Sequence, residues 1–214
     1  MIPREPTAEA PALHDHGGPF ADLIYEYLRR PDRRTRILDE VERRFRRESS
    51  IIVVDSCGFT RSLRRQGVVP FLAQLLRLDQ IVRSRVHEVG GSGYFRAADN
   101  FYSLLPTAEA AVSCGEAILQ DVAEVNEAAE PPDRLAVSIG VGYGPVLLVG
   151  DDQIYGEEFN LVSKVGEDIA GPGELMVTVA GWEALPSSDR VFEERRVTLS
   201  GLEIVAYVLR GDGG

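Results

Sequence analysis

The segment Ile51–Val54 constrains the fold of this chain more than any other segment. Four β-branched apolar residues follow one another directly, and Asp55 ends the run. Because side chains alternate between the two faces of a strand, an unbroken apolar run predicts a strand that is buried on both faces. The sequence therefore predicts a central strand whose last residue carries a carboxylate to one end of a sheet.

The composition is that of a folded protein with one substantial domain. The chain has 214 residues, of which 44% are hydrophobic and 27% charged. A net charge of −11 argues against binding to nucleic acid or to an anionic membrane. There is no signal-peptide pattern and no membrane-spanning apolar run, and Cys57 and Cys114 are expected to be reduced thiols. We therefore expect a cytoplasmic protein without membrane insertion.

Three segments are distinguished by their composition. Residues 1–18 are rich in Pro, Ala and Gly and are predicted to form a flexible tail, and residues 19–48 read as a helical segment that Pro31 divides in two. The apolar stripe of the second helix could form a dimerisation seam or pack on its own domain. Residues 49–214 form the predicted main domain. We expect deletion of the first two segments to weaken dimerisation.

Helical and strand patterns alternate in the third segment. The predicted helices lie near residues 70–88, 107–128 and 157–170, and the predicted strands near 94–97, 100–105, 135–141, 174–178, 190–197 and 203–209. Gly144-Pro145 is predicted to turn the chain between the strand at 135–141 and the apolar residues that follow. Starting from the central strand, the order β-α-β-β-α-β is the ferredoxin-like plan, an α+β fold with an antiparallel sheet flanked by helices.

Two acidic residues are predicted to meet in this plan. Asp55 leaves the central strand, and Asp99 lies at the tip of the neighbouring hairpin. Two carboxylates about 4 Å apart repel each other by roughly 4 kcal/mol at an effective dielectric constant near 20, so one is protonated or a cation lies between them. Mg²⁺ suits one or two carboxylates together with phosphate oxygens. The alternative is that both acids are turn or cap residues that never meet.

Several segments, taken together, carry a family resemblance. "IIVVDSCGFT" resembles the first metal-binding segment of the class III nucleotidyl cyclases, the catalytic domain of adenylate and guanylate cyclases, and "YFRAADNFYSLL" resembles the second. "LAVSIGVGYGPVLLVGDDQIYGEEFNLVSKVGEDIAGPGELMVT" is similar to the C-terminal half of that domain. The resemblance covers about residues 50–210 with the segments in the family's order.

The resemblance implies a homodimer with active sites at the subunit interface. Asp55 and Asp99 would hold two divalent ions, Mg²⁺ or Mn²⁺, in each active site. Asn160 matches the residue that orients the ribose from the other subunit. Phosphates would bind at the turn after the central strand, where small residues allow backbone N–H groups to face them. The residues of this turn assigned to nucleotide binding are Ser56, Gly58, Phe59 and Thr60.

The sequence departs from the family at three positions. Lys164, the only lysine of the chain against 22 arginines, occupies the place of the transition-state arginine. Lysine stabilises phosphate as a point charge and lacks the bidentate geometry of arginine. Phe95 and Gln153 replace the base-reading pair of adenine-specific members, and Arg96 would donate to a base carbonyl if it turned inward. Glu157 and Glu158 add negative charge just before Asn160.

The resemblance predicts an enzyme, a nucleotidyl cyclase for intracellular signalling that converts a nucleoside triphosphate to a 3′,5′-cyclic nucleotide and pyrophosphate. The departures suggest an alternative, a catalytically degenerate cyclase-like module that binds a nucleotide or a partner and regulates through dimerisation.

Overall fold

The computed structural model describes residues 18–58, 63–64, 67–199 and 201–211. Phe59, Thr60 and residues 1–17 of the predicted tail lie outside the described residues. The chain divides into two compact units, one ending at Arg44 and the other beginning at Phe45. The N-terminal unit consists of helix α1 (Pro19–Arg29), a short turn at Pro31–Arg33 and helix α2 (Arg34–Phe45). The break between the helices at Pro31 is as predicted, because proline has no N–H group to continue the helical hydrogen bonds.

The described part of the C-terminal unit contains a sheet and four α-helices of five or more residues. The helices are α3 (Val68–Glu88), α4 (Ala108–Glu127), α5 (Glu157–Lys164) and α6 (Val179–Glu183), and α5 continues into a wider π-type turn at Val165–Ile169. The strands are β1 (Arg46–Ser56), β2 (Ser92–Ala97), β3 (Asn100–Leu105), β4 (Val137–Val149), β5 (Gln153–Tyr155), β6 (Leu175–Thr178), β7 (Val191–Leu199) and β8 (Leu202–Arg210).

The strand order confirms the ferredoxin-like plan. The sheet runs β2-β3-β1-β4-β6-β8-β7, with β5 paired to β4. Its first four strands, β2-β3-β1-β4, are antiparallel and constitute the βαββαβ unit. Beyond them β6 pairs with β4 in parallel, and β8 and β7 extend the sheet by antiparallel pairing.

Strand β1 is buried on both faces, as its apolar run predicts. Ile52 and Val54 pack in one core cluster with residues of α3 and α4. Ile51 and Val53 pack in a second cluster on the opposite face, which includes Tyr102 of β3 and Val162 of α5. The second face is referred to below as the α5 face, and Asp55 belongs to it because it follows Val53 by two residues.

Two predictions about strand boundaries are wrong. Strand β1 begins at Arg46 rather than near residue 51, because its charged first residues pair with β4 beyond the buried part of the sheet. Gly144-Pro145 does not turn the chain, and β4 continues through it to Val149. Proline is tolerated there because β4 has only β1 as a partner at Pro145, since β6 pairs with residues 139–141 and β5 with residues 147–149.

No helix among the described residues is both long enough and apolar enough to cross a membrane.

Candidate functional site

Asp55 and Asp99 lie at the same end of the sheet. Asp55 pairs with Asn100 of β3 on one side and with Ser138 of β4 on the other. Asp99 immediately precedes Asn100 in the two-residue turn between β2 and β3. That turn needs a left-handed backbone at Ala98, with φ of 55°, which is uncommon for a residue other than glycine. The pairing of β1 with β3 and the tight turn that precedes β3 thus bring Asp55 and Asp99 to the same place.

The electrostatics of Asp55 are those of a crowded, partly buried acid. Burial, the charge of Asp99 and the charge of Glu167 together raise the pKa of Asp55 to about 6. The Ser138 hydroxyl acts in the opposite direction, since it donates to the Asp55 carboxylate at 3.5 Å. Cys57 donates its thiol to the Ser138 oxygen at 3.3 Å, and burial raises the pKa of that thiol. A cation bound between Asp55 and Asp99 would offset the repulsion between their carboxylates.

The residues at this end of the sheet fit a hard divalent cation. Within the described part of the chain, no group of three or more His, Cys, Asp or Glu side chains is arranged to hold a metal ion. Two carboxylates are nevertheless enough for Mg²⁺, which completes its octahedron with water and phosphate oxygens. In addition, the side-chain oxygen Oδ1 of Asn100 is buried and has no hydrogen-bond partner among the residues that the structure describes. Oxygen acceptors that lack a donor are the groups that such a cation binds.

Glu167 is a third acid near the pair, and the sequence analysis did not single it out. It lies in the π-type turn after α5, and its carboxylate accepts a hydrogen bond from the Tyr102 hydroxyl at 2.9 Å. Burial raises the pKa of Glu167, while the bond from Tyr102 lowers it. No local pattern could have placed Glu167 here, because it approaches Asp55 only through the packing of α5 on the sheet.

The turn after β1 contains the predicted phosphate-binding residues, of which the structure describes Ser56 and Gly58. Ser56 is the last residue of β1 and pairs with Val137. The Cys57 N–H group donates to the Ala136 carbonyl at 2.8 Å, so it is engaged within the protein. Gly58 has φ of +86°, a conformation that glycine adopts without strain and that redirects the chain after the strand.

Asn160 and Lys164 share one exposed side of α5. They lie four residues apart, so they are neighbours on the helix surface. Val162, two residues from each, lies on the opposite side and is buried on the α5 face of the sheet. Helix α5 therefore presents Asn160 and Lys164 away from the sheet of its own chain.

Glu158 does not add its charge to that exposed side. It lies four residues before Val162 and accepts a hydrogen bond from the buried Thr178 hydroxyl at 2.5 Å. Burial raises the pKa of Glu158, and the bonds from Thr178 and from the Tyr143 backbone lower it. Of the two acidic residues that precede Asn160 in the sequence, Glu158 therefore directs its carboxylate towards the protein interior.

The predicted base-reading residues lie on two strands, Phe95 and Arg96 on β2 and Gln153 on β5. Phe95 stacks on Tyr102 with ring centroids 4.7 Å apart, so it belongs to the α5 face. Arg96 pairs with Phe101, which lies in the core on the α3 and α4 side, and its side chain is exposed. Gln153 alternates with the buried Ile154 and accepts a hydrogen bond from the Tyr155 hydroxyl at 3.0 Å.

Glycines in β4 let α5 approach the sheet closely. A Cβ atom at Gly140 would lie 2.5 Å from the Val162 carbonyl oxygen and 2.7 Å from the Gly166 nitrogen. A Cβ atom at Gly142 would collide with the side chains of Val162 and Glu158. The glycines of β4 therefore allow two segments to pack directly on the sheet. These are helix α5, which carries Asn160 and Lys164, and the following turn, which carries Glu167.

Known protein structures share this architecture. The adenylyl cyclase CyaB from P. aeruginosa aligns with a TM-score of 0.67 and 18% identity, over 78% of this chain and 96% of that one. The adenylate/guanylate cyclase/hydrolase from Silicibacter pomeroyi aligns with a TM-score of 0.65 and 22% identity, over 78% of this chain and 99% of that one. The guanylyl cyclase Cya2 aligns with a TM-score of 0.64 and 21% identity, over 78% of this chain and 94% of that one.

Comparisons based on sequence find no such relatives. No protein-family model matches the chain. No curated protein matches it either. The structural similarity nevertheless shows the fold, and the chain has the fold of the class III nucleotidyl cyclase catalytic domains, as the sequence resemblance predicted.

Proposed function

We propose that this protein is a homodimeric nucleotidyl cyclase that converts a nucleoside triphosphate to a 3′,5′-cyclic nucleotide and pyrophosphate. The observation that carries the proposal is the pair Asp55 and Asp99 at one end of a cyclase-type sheet, with mutual repulsion that helps to raise the pKa of Asp55 to about 6. In the reaction the ribose 3′ oxygen forms a bond to the α-phosphorus and the 3′-hydroxyl proton is lost. The bond from the α-phosphorus to the bridging oxygen breaks, and pyrophosphate leaves.

Each proposed catalytic residue has a distinct role. Asp55 and Asp99 hold two divalent cations, Mg²⁺ or Mn²⁺, which when bound supply charge stabilisation for the attacking and leaving oxygens. Asn160 orients the ribose by hydrogen bonding. Lys164 donates to the phosphate oxygens as a point charge, without the two-pronged contact that arginine makes.

A second copy of the chain is part of the proposal. Asn160 and Lys164 lie on the exposed side of α5, away from the sheet that carries Asp55 and Asp99. A symmetric dimer would let each subunit supply Asn160 and Lys164 to the acid pair of the other, as the family resemblance implies. We expect the enzyme to act in the cytoplasm, where nucleoside triphosphates are available.

Base recognition is proposed to rely on shape and neutral groups. Phe95 offers a ring and no hydrogen bond, and its stacking on Tyr102 gives that position an apolar surface. Gln153 is the polar residue of the pair and is able both to donate and to accept. Arg96 has no part in this proposal, because it lies on the opposite face of β2 from Phe95.

A degenerate cyclase module is the second candidate function. Phe95 matches a base-reading position of the family, yet it packs against the core cluster of the α5 face and its side chain has no group that donates or accepts a hydrogen bond. In that case the protein would bind nucleoside triphosphate or a partner without releasing pyrophosphate.

One assay separates the two candidates. Purified protein is incubated with each of the four nucleoside triphosphates and Mn²⁺ or Mg²⁺, and pyrophosphate and cyclic nucleotide are quantified. The variant Asp55→Asn should abolish product, and the exposed Asp189→Asn, just before the edge strand β7, is the matched control, because β4, β6 and β8 lie between β7 and β1. Absence of pyrophosphate with all four nucleotides contradicts the cyclase proposal, and Mn²⁺-dependent nucleotide binding in that case supports the degenerate module.

Complementation tests the shared site. Asp55→Ala and Asn160→Ala should each be inactive alone, and mixing them should restore part of the activity, because one heterodimer site is then intact. If the mixture stays inactive although the two variants exchange subunits, the interface site is refuted.

A further inference from the structure

Asn100 is a polar residue at the acid pair whose role the preceding sections leave open. It is the first residue of β3, it follows Asp99 directly, and it pairs with Asp55 across the sheet. Paired residues of neighbouring antiparallel strands project to the same face, so the Asn100 and Asp55 side chains share the α5 face. Its oxygen Oδ1 is buried and lacks a hydrogen-bond partner in the described part of the chain.

Two neighbours fix the orientation of the Asn100 amide. The Asn100 side chain forms hydrogen bonds with the Glu167 carboxylate and with the Tyr102 hydroxyl. A carboxylate only accepts hydrogen bonds, and Asn100 Oδ1 has no partner among the described residues, so the amide nitrogen faces Glu167 and Tyr102. Tyr102 and Glu167 are themselves joined by a hydrogen bond of 2.9 Å. This arrangement leaves Oδ1 directed away from both.

An acceptor buried without a donor is costly. Leaving such a group unpaired costs about 1–3 kcal/mol, and few buried side-chain oxygens in folded proteins are left so. Here the unpaired oxygen lies beside two carboxylates, which are acceptors as well. Oxygen atoms of three side chains therefore lie at one end of the sheet. The Ser138 hydroxyl and the Cys57 thiol donate to Asp55, and Asn100 Oδ1 has no donor among the described residues. Amide and carboxylate oxygens are hard ligands that suit Mg²⁺ and Mn²⁺.

We infer that Asn100 Oδ1 is a further ligand of the divalent cation that Asp55 and Asp99 bind, and that Glu167 and Tyr102 hold its amide in the ligating orientation. The inference rests on the proposed two-metal function and adds to it. Glu167 acts through Asn100 rather than on the cation, which makes it a positioning residue. Its hydrogen bond to Tyr102 keeps its carboxylate on the nitrogen side of the amide.

Binding of Mn²⁺ alone, followed by electron paramagnetic resonance of the free ion, tests this without nucleotide or turnover. The variant Asn100→Leu keeps the volume of the side chain but removes its oxygen, and it should raise the Kd for Mn²⁺ about tenfold or more. Asn100→Asp restores an oxygen and should keep the Kd within about threefold of the wild type, or lower it. Gln120→Leu removes an exposed amide on α4, which packs on the opposite face of the sheet from Asn100, and should leave the Kd unchanged. Circular dichroism checks that each variant is folded, and Asn100→Ala replaces the leucine variant if that one is not.

The outcomes separate this inference from the proposed function. If Asn100→Leu binds Mn²⁺ like the wild type while Asp55→Asn does not bind it, Asn100 is not a ligand but the acid pair still is. If Asn100→Asp loses affinity as much as Asn100→Leu, the oxygen is not what matters, and the inference is likewise overturned. If the wild type binds no Mn²⁺ at all, both this inference and the two-metal proposal fail.

Discussion

Replacing Gly140 by alanine tests the packing that holds α5 over the sheet. The new methyl group would lie 2.5 Å from the Val162 carbonyl oxygen and 2.7 Å from the Gly166 nitrogen. Both are backbone atoms, so no side-chain rotation relieves the contact. The helix has to retreat by at least about 0.5 Å, since protein interiors are close-packed and a carbon atom does not approach an oxygen so closely.

The retreat of the helix lowers the free energy of unfolding. Overpacking of a core costs about 1–3 kcal/mol, and a contact with immovable backbone on two sides belongs at the upper end, near 3 kcal/mol. In a domain of this size that loss lowers Tm by roughly 6–12 °C. If the proposed function holds, turnover falls as well, because the same helix carries Asn160 and Lys164.

Gly144→Ala is the matched control on the same strand. Its methyl group would meet Glu158 Cβ and Cγ at 3.4 Å, which is ordinary van der Waals contact with a side chain. The two variants share the backbone entropy change of a glycine-to-alanine substitution, so their difference isolates the steric term. Urea unfolding followed by circular dichroism measures both. A Gly140→Ala protein as stable as Gly144→Ala would refute the reasoning.

Two further predictions concern the acid stability of the C-terminal unit and the role of the N-terminal unit. Glu174 accepts two hydrogen bonds from Arg195 and one from the Gly171 N–H group, which lower its pKa to about 2. Because this pKa is below its ordinary value of 4.5, the carboxylate stabilises the fold above about pH 4.5 and loses that contribution as the pH falls towards 2. Glu174→Gln should therefore flatten the dependence of the unfolding free energy on pH in that window, and an unchanged slope in urea titrations would contradict this. Deletion of residues 1–44 should weaken self-association measured by sedimentation velocity. The deletion must end before Arg46, because Arg46 and Glu48 pair with β4. An unaltered dimer constant would count against a dimerisation role.

Local sequence patterns predicted the strands and helices correctly where the spacing of apolar residues decides which side chains are buried. The run Ile51–Val54 identified a strand covered on both faces, and the prediction is confirmed by two separate core clusters. The strand predicted at 100–105 and the helix predicted at 107–128 were located to within about a residue, because their apolar periodicity and turn residues are continuous in sequence. The order of these elements also indicated the ferredoxin-like plan.

Local patterns failed where a neighbouring strand decides the outcome. Gly144-Pro145 has the composition of a turn, yet β4 runs through it because β1 supplies a partner along its length. The direction of Arg96 was open in the sequence. The pairing of Phe95 with Tyr102 and of Arg96 with Phe101 assigned the two side chains to opposite faces.

The sequence by itself determined that a carboxylate follows a doubly buried strand and that another lies in a nearby hairpin turn, because both facts depend on residues adjacent in the chain. Only the tertiary structure decided that Asn100 and Ser138 flank Asp55 and that Glu167 reaches Tyr102 from a turn 65 residues away. Those contacts depend on strand order, on register and on how closely the glycines of β4 let α5 approach. No spacing within a single segment encodes them.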